Sequence, residues 1–156
     1  MAMKFSPREL KLLANLRENG RCKLTEISKK SRIPVSTVFD MLQEMQENVI
    51  TKNTVLIDFS KLGYHTRAQI FIRVEKQDKE RLKNLLIFAD NVNSIYRING
   101  GWDFIIETVH RSIKELDDFL EDLGREVCIQ EKEIHYLIED IKREEFLSNG
   151  GKNGKC

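Results

Sequence analysis

The hydrophobic period of the sequence changes once, near residue 60, and this change constrains the fold more than any other feature. Before it, apolar residues recur at helical spacing; after it, from Thr66 onward, they alternate with polar residues. A helical module followed by a module with alternating strands favours an α+β chain. We therefore expect one domain at residues 1–60, a second at 61–145, and a flexible glycine- and lysine-rich tail at 146–156.

The first module begins with a helix whose start signals are complete. Ser6 and Glu9 have the spacing of a capping box, and Pro7 between them stands at the first helical position. Asn19-Gly20 then predicts the end of this helix.

Two further helices are expected at 24–31 and at about 35–47, the latter closed by Asn48 in a left-handed conformation. Only the proline-containing break at 32–34 separates them, and this short connection predicts a tight corner. Residues 51–59 are rich in β-branched side chains and predict a strand or wing.

The second module follows the order β-α-β-β-α-β, the ferredoxin-like arrangement. The expected strands lie at 66–74, 94–98, 104–109 and 127–138, and the helices at 78–90 and 112–124, the second opened by a capping box of Ser112 and Glu115. Both helices would cover one face of the sheet. An apolar open face of that size usually forms an interface, so we expect a symmetric, sheet-on-sheet dimer.

Composition and charge exclude several classes of protein. Charged residues make up 33% of the chain and apolar residues 40%, unlike a disordered chain. No apolar run approaches the length of a membrane span or of a signal-peptide core, which predicts a soluble, cytoplasmic protein. Residues 1–60 hold ten Lys and Arg against seven Asp and Glu, whereas 61–150 hold fourteen against eighteen. A polyanion would bind the first module.

The cysteines and histidines lack the spacing of a metal or catalytic site, which needs ligands at short, regular intervals. The three cysteines, Cys22, Cys128 and Cys156, are far apart, and the three histidines, His65, His110 and His135, are scattered over three elements. We therefore expect no metal, no cofactor and no enzymatic activity.

Five short motifs stand in a fixed order along the chain. They are Gly20-Arg21 ahead of Glu26-Ile27-Ser28, Ser36-Thr37-Val38, Val49-Ile50, the linker from Asp58 to Leu62-Gly63-Tyr64, and Gly100-Gly101-Trp102-Asp103. In this order and at this spacing they resemble the Lrp/AsnC family of transcription regulators over about residues 5–141. The resemblance implies a winged helix-turn-helix that binds double-stranded DNA. It also implies a C-terminal domain for dimers, tetramers or octamers and for an amino-acid effector.

In a helix-turn-helix, the N-terminal part of the second of the paired helices contacts base edges in the major groove. That part of the predicted helix would present Ser36, Thr37, Phe39, Asp40 and Gln43. Base contacts are assigned to Ser36, Thr37 and Gln43, which have hydrogen-bonding side chains, and Asp40 could accept from cytosine. Phe39 and Met41 are not assigned to bases, because packing against a neighbouring helix would account for them. The nearby basic residues are candidates for phosphate contacts, with an ordinary solvated helix face as the alternative for each: Arg21, Lys23, Lys29, Lys30, Arg32 and Lys52.

The third helix departs from the family, whose members usually carry Arg and Lys there. Residues 40–47 contain Asp40, Glu44 and Glu47 and no basic residue. Carboxylates beside phosphates are repulsive. Two alternatives remain open: the DNA contacts fall mainly on the second helix and the wing, or DNA binding is weak or restricted in target.

The loop from Gly100 to Asp103 has two interpretations. As structure alone, Gly100 and Gly101 supply a tight turn, Trp102 packs in a core or interface, and Asp103 bonds loop amides. As an effector site, Asp103 and loop backbone groups would bind an amino acid's ammonium while Trp102 walls the pocket. Asn99 stands where relatives often have Ser or Thr, which leaves the identity of the effector open.

Two rival functions come from other classes. The acidic third helix is compatible with an oligomeric partner protein that binds DNA weakly or not at all and acts by assembly with paralogues. The second rival is an enzyme, because some tetrapyrrole-pathway decarboxylases resemble this chain in their two-domain fold. The scattered histidines, however, offer no paired acid and base for such a catalyst.

Overall fold

The computed structural model describes residues 4–148 and divides them into two compact units. One unit contains the residues up to Leu56 together with the described residues from Ile141 onward, and the other spans Ile57–Asp140. This division differs from the expected boundaries at 60 and 145, because the chain returns to the first unit after residue 140. Residues 149–156, and with them most of the predicted tail, lie outside the described residues.

The first unit contains three helices, α1 (Pro7–Glu18), α2 (Leu24–Ser31) and α3 (Val35–Asn48). The predicted capping box is present, since the Glu9 amide donates to Ser6 Oγ at 3.4 Å and the Ser6 amide donates to the Glu9 carboxylate at 2.6 Å. Apolar residues from all three helices and the connecting turn form a small core: Leu12, Ile27, Ile33, Val38 and Met45.

The corner between α2 and α3 is formed by a left-handed residue. Arg32 has φ +59° and its amide donates to the Ser28 carbonyl, while the Ser28 hydroxyl donates to the Ile33 carbonyl at 2.5 Å. The prediction for Asn48 was wrong, because Asn48 is still helical and its side-chain amide donates to the Glu44 carbonyl at 2.9 Å. An asparagine side chain that bonds the preceding turn no longer needs to reverse the backbone.

The predicted strand or wing at residues 51–59 was also wrong. Residues 50–58 form neither helix nor strand, and a short 3₁₀ turn follows at Phe59–Leu62. β-branched composition favours an extended backbone, but a strand also needs a partner to accept and donate its ladder hydrogen bonds. The described part of the chain supplies none to this segment.

The second unit has the predicted ferredoxin-like order. It contains β1 (Thr66–Val74), a 3₁₀ turn (Lys76–Asp78), α4 (Lys79–Ile87), β2 (Val92–Arg97), β3 (Phe104–His110), α5 (Ile113–Glu126) and β4 (Ile129–Tyr136). The sheet order is β2-β3-β1-β4, and every neighbouring pair is antiparallel. The alternation predicted for β1 is confirmed, because Ala68, Ile70, Ile72 and Val74 are buried against the helices.

The start and the end of α5 differ from the expectation. Ser112 Oγ accepts from the Glu115 amide at 3.3 Å, but the Glu115 carboxylate accepts from the Arg111 amide, so only half of the capping box forms. Gly124 does not end the helix, which continues to Glu126. Leu123, packed in the core, and Val127, buried just beyond, hold this last turn in place.

The open face of the sheet is more polar than expected. Arg67 donates to Glu107 and to Asp140, both at 2.9 Å, and Arg73 pairs with Glu131 across β1 and β4. Because helices cover one face only, the open face of β1 carries Arg67, Gln69, Phe71 and Arg73. The sheet-on-sheet dimer stays a prediction, now for a face of paired charges with an aromatic cluster rather than an apolar one.

Candidate DNA-binding surface and ligand-binding loop

The nine side chains predicted to contact DNA all lie on the surface of the first unit. Each is exposed, and none makes an ion pair or a side-chain hydrogen bond with another described residue: Arg21, Lys23, Lys29, Lys30, Arg32, Ser36, Thr37, Gln43 and Lys52. Their chain positions place them in three groups, before α2, at its C-terminal end, and on or after α3.

The basic group at the end of α2 is the densest of the three. Lys29 and Lys30 lie in the last helical turn, and Arg32 follows as the left-handed residue of the corner. The negative end of the helix dipole favours cations there, which explains part of their placement without DNA. It does not explain why all three lack an acidic partner in the part of the chain that the structure describes.

The exposed face of α3 presents polar groups beside the corner. Val38 and Met45 are buried, so Ser36, Asp40 and Gln43 face outward. The residue before the helix is Pro34, whose side chain cannot cap, and no side chain bonds the first amides of α3. Free amides at a helix N-terminus are suitable donors to a phosphate oxygen.

For Phe39 the sequence left two positions open, the outer surface of α3 or packing against a neighbouring helix. Met41 is half-buried against the helical core, as expected, but the Phe39 side chain is 54% exposed. The spacing agrees with this exposure. Phe39 follows buried Val38 by one residue and precedes half-buried Leu42 by three, so it lies at the margin of the buried stripe.

The loop between β2 and β3 has the expected turn geometry. Gly100 and Gly101 have φ of +83° and +99°, a conformation that residues with a Cβ rarely adopt. The Trp102 ring packs on Phe71 of the open sheet face with centroids 5.8 Å apart, and Phe71 in turn contacts His135 edge-on. Trp102 is half-buried and therefore keeps an accessible surface beside the loop.

Asp103 is held by other parts of the second unit rather than by loop amides. One carboxylate oxygen lies 2.5 Å from Lys79 Nζ at the start of α4, and the other accepts from the Val74 amide at 3.1 Å. Burial raises the pKa of Asp103, but the Lys79 ammonium and the Val74 amide outweigh it and lower the pKa below its ordinary value. In this conformation an incoming ammonium group would compete with Lys79.

The histidines do not converge on a site. His65 is exposed, His135 lies 3.0 Å from Glu133, and His110 is fully buried beneath α5. Within residues 4–148, no group of three or more potential metal-ligating side chains comes together. Across the same residues, no helix is both long enough and apolar enough to span a bilayer.

The two units together define a class of protein: a helix-turn-helix with an exposed basic corner, joined to a ferredoxin-like domain. Residues 5–48 match the model of a winged helix-turn-helix DNA-binding domain, and residues 67–146 match that of the Lrp/AsnC ligand binding domain. The chain belongs to the Lrp/AsnC family of transcription regulators, as its motifs predicted.

Individual relatives agree with this assignment. An uncharacterized HTH-type transcriptional regulator of Pyrococcus furiosus is 30% identical over 81% of this chain and 87% of its own. The structure of Bacillus subtilis LrpC superposes with a TM-score of 0.81 at 20% identity, covering 90% of this chain and 99% of that one. A transcriptional regulator of Neisseria meningitidis, solved as a complex with L-Met, gives 0.84 at 18% identity over 90% and 94%.

The family assignment decides between the classes of function. The matched domains are a DNA-binding domain and the ligand binding domain of a family of transcription regulators, so this protein is a regulator and not an enzyme. The decarboxylase interpretation is thereby excluded.

Proposed function

We propose that this protein regulates transcription in the cytoplasm by binding double-stranded DNA as a homodimer or a larger homo-oligomer. Each dimer presents two α3 helices to a near-palindromic site whose halves are spaced by about one helical turn or a multiple of it. An amino acid bound at the ligand domain modulates this binding. Tetramers or octamers would bend or wrap longer DNA.

The observation that carries the proposal is the basic corner formed by Lys29, Lys30 and Arg32. Three exposed cations, for which residues 4–148 provide no acidic partner, precede the uncapped N-terminus of α3, and both features suit a phosphate backbone. Arg21, Lys23 and Lys52 extend the same role on the flanks.

Because α3 is acidic, we assign different roles in DNA binding to α2 and α3. Phosphate affinity comes from α2 and its flanks, because Asp40, Glu44 and Glu47 repel the backbone. Sequence selection comes from Ser36, Thr37 and Gln43, whose side chains form hydrogen bonds with base edges.

The test is a binding titration against the DNA upstream of the protein's own gene, compared with random DNA at two salt concentrations. The triple variant Lys29→Ala/Lys30→Ala/Arg32→Ala should bind far more weakly and lower the salt slope by roughly 2.7 per protomer, hence about 5.4 for a dimer, at about 0.9 for each lost phosphate contact.

A matched control removes the same charge from the second unit, through Lys76→Ala/Arg97→Ala/Lys132→Ala, whose side chains are likewise exposed. The control should retain the affinity of the unchanged protein. An unchanged salt slope in the α2 variant, with the oligomer intact in both proteins, would refute the role given to the corner.

The ligand proposal concerns the loop of Gly100, Gly101, Trp102 and Asp103. Support comes from the match to a ligand binding domain and from the L-Met complex of the Neisseria relative. The accessible part of Trp102 and the loop backbone would form the pocket, and Asp103 would take the ammonium once Lys79 moves away. Calorimetric titration with the twenty amino acids tests this; no binding, or undiminished binding by Trp102→Ala, would exclude the site.

One observation favours a second candidate, a partner protein with weak or no DNA binding that assembles with paralogues. That observation is the absence of Lys and Arg from α3. Mixed oligomers in pull-downs, with no shift of genomic DNA at low salt, would favour this candidate over the regulator.

A further inference from the structure

The exposed face of α3 contains an apolar patch in a position where a water-exposed helix would carry polar residues. Phe39 is 54% exposed, and Val35, one turn before it, is 43% exposed. Exposed apolar surface is unfavourable in water, and no described residue of the first unit covers this patch. Its place on α3 therefore needs a reason other than the packing of the first unit.

The position of Phe39 on the helix supplies that reason. Ser36 precedes it by three residues and Gln43 follows it by four, so the three side chains are neighbours on one surface of α3. Helical side chains lean towards the N-terminus, which brings the ring over the turn of Val35 and Ser36. This is the part of the helix that enters the major groove in the proposed complex.

The surrounding charge favours DNA over protein as the occupant. The corner of Lys29, Lys30 and Arg32 precedes the patch directly in the chain, and its cations have no acidic partners among the described residues. A polyanion neutralises these charges, whereas an apolar protein surface would leave them buried without partners.

We infer that Phe39 contacts the C5-methyl group of a thymine and so supplies sequence specificity that the acidic α3 cannot obtain from arginine. The methyl group of thymine is the apolar group that a base edge presents in the major groove. Guanine presents two acceptors there, which Asp40 and Glu44 would repel. The inference rests on the proposed DNA binding and deepens it by naming a base and the residue that selects it.

The experiment is a cycle of methyl deletion and ring deletion. Sites are first selected from random DNA by the unchanged protein, and each thymine is then replaced by uracil, which lacks only the methyl group. At one or two thymines in each half-site, uracil should weaken binding about fourfold, the effect of losing one buried methyl group. Phe39→Ala should bind more weakly to the thymine site and no longer distinguish thymine from uracil there.

Two further variants serve as controls. Phe39→Leu keeps an apolar side chain and should keep part of the preference for thymine. Phe88→Ala removes an 85% exposed ring from the second unit and should leave the preference unchanged. Because the Phe39 ring lies on the surface, the thermal unfolding of Phe39→Ala should match that of the unchanged protein.

Each other outcome overturns the inference in a distinguishable way. If Phe39→Ala still prefers thymine at every position, the contact is refuted while DNA binding stands. If Phe39→Ala changes the oligomeric state but not the DNA selection, the patch is a protein interface. If the unchanged protein selects no sequence and binds no random DNA at low salt, the proposed function and the inference fail together.

Discussion

The two units of the chain use their charged residues in opposite ways. On the open sheet face of the second unit, Arg67 lies between Glu107 and Asp140, and Arg73 pairs with Glu131. At the basic corner of the first unit, Lys29, Lys30 and Arg32 have no acidic partner among the described residues. Charges that are satisfied within the chain stabilise it, whereas charges left unpaired side by side are available to another molecule. The comparison thus separates the residues that maintain the fold from those that we propose to bind DNA.

The largest expected effect on stability comes from removing Arg67, which forms ion pairs with Glu107 and Asp140. Arg67→Ala leaves Glu107, whose side chain is 15% exposed, without its cation, and we expect the free energy of unfolding to fall by about 2–3 kcal/mol. The matched change at the basic corner, Lys30→Ala, should alter it by less than about 0.5 kcal/mol. Urea denaturation at one fixed protein concentration measures both.

The double variant Arg67→Ala/Glu107→Gln sharpens this test, because it removes the charge that the single change strands. It should recover part of the lost stability. Equal losses for Arg67→Ala and Lys30→Ala would contradict the distinction between the two units.

A smaller effect concerns a buried imidazole, that of His110. His110 is fully buried, its ring 5.5 Å from Phe119, and neither ring nitrogen has a hydrogen-bond partner among the described residues. Burial lowers the pKa of His110 below its ordinary 6.5, and the Glu115 carboxylate opposes this only in part. The unfolded chain therefore binds the proton more readily than the folded one.

Stability from His110 should accordingly be fully present above about pH 6.5 and decline as the pH falls towards the folded pKa, by at most about 1.4 kcal/mol per pH unit. His110→Leu should remove this slope from urea denaturation curves recorded between pH 7 and 5, and His65→Leu, at an exposed position, should not. A slope that survives in His110→Leu would assign the pH dependence to other groups.

The sequence predicted those features that depend on residues close to one another in the chain. The bounds of α2, the capping box at Ser6 and the alternation along β1 follow from local spacing, and all are confirmed. The strand or wing predicted at residues 51–59 was wrong because a strand depends on a pairing partner, which sequence spacing does not reveal. The contact between Asp103 and Lys79 was missed for the same reason, since it joins a loop to a helix more than twenty residues away.

The candidate DNA surface shows the same division. Exposure of the basic residues at the corner could be inferred from the helical pattern, but their lack of partners depends on where every carboxylate of the unit lies. Spacing puts Phe39 at the margin of the buried stripe, so packing against a neighbouring helix stayed open for it; the structure shows that its ring is exposed.

The smallest expected effect concerns an ion pair of the first unit, between Arg17 and Glu144. Arg17 on α1 donates to the Glu144 carbonyl at 2.8 Å and to its carboxylate at 3.3 Å, which fastens the segment after residue 140 to the helix. Both side chains are substantially exposed, so Arg17→Ala should cost no more than about 0.5–1 kcal/mol of unfolding free energy. Hydrogen exchange should nevertheless quicken in residues 141–148 and not in α5, because the lost contacts hold only that segment. Glu144→Gln, which keeps the carbonyl contact and gives up the charge, should quicken it less. Unchanged exchange in Arg17→Ala would mean that the left-handed backbone at Glu144 and Leu147, together with the buried Ser148, holds the segment without the arginine.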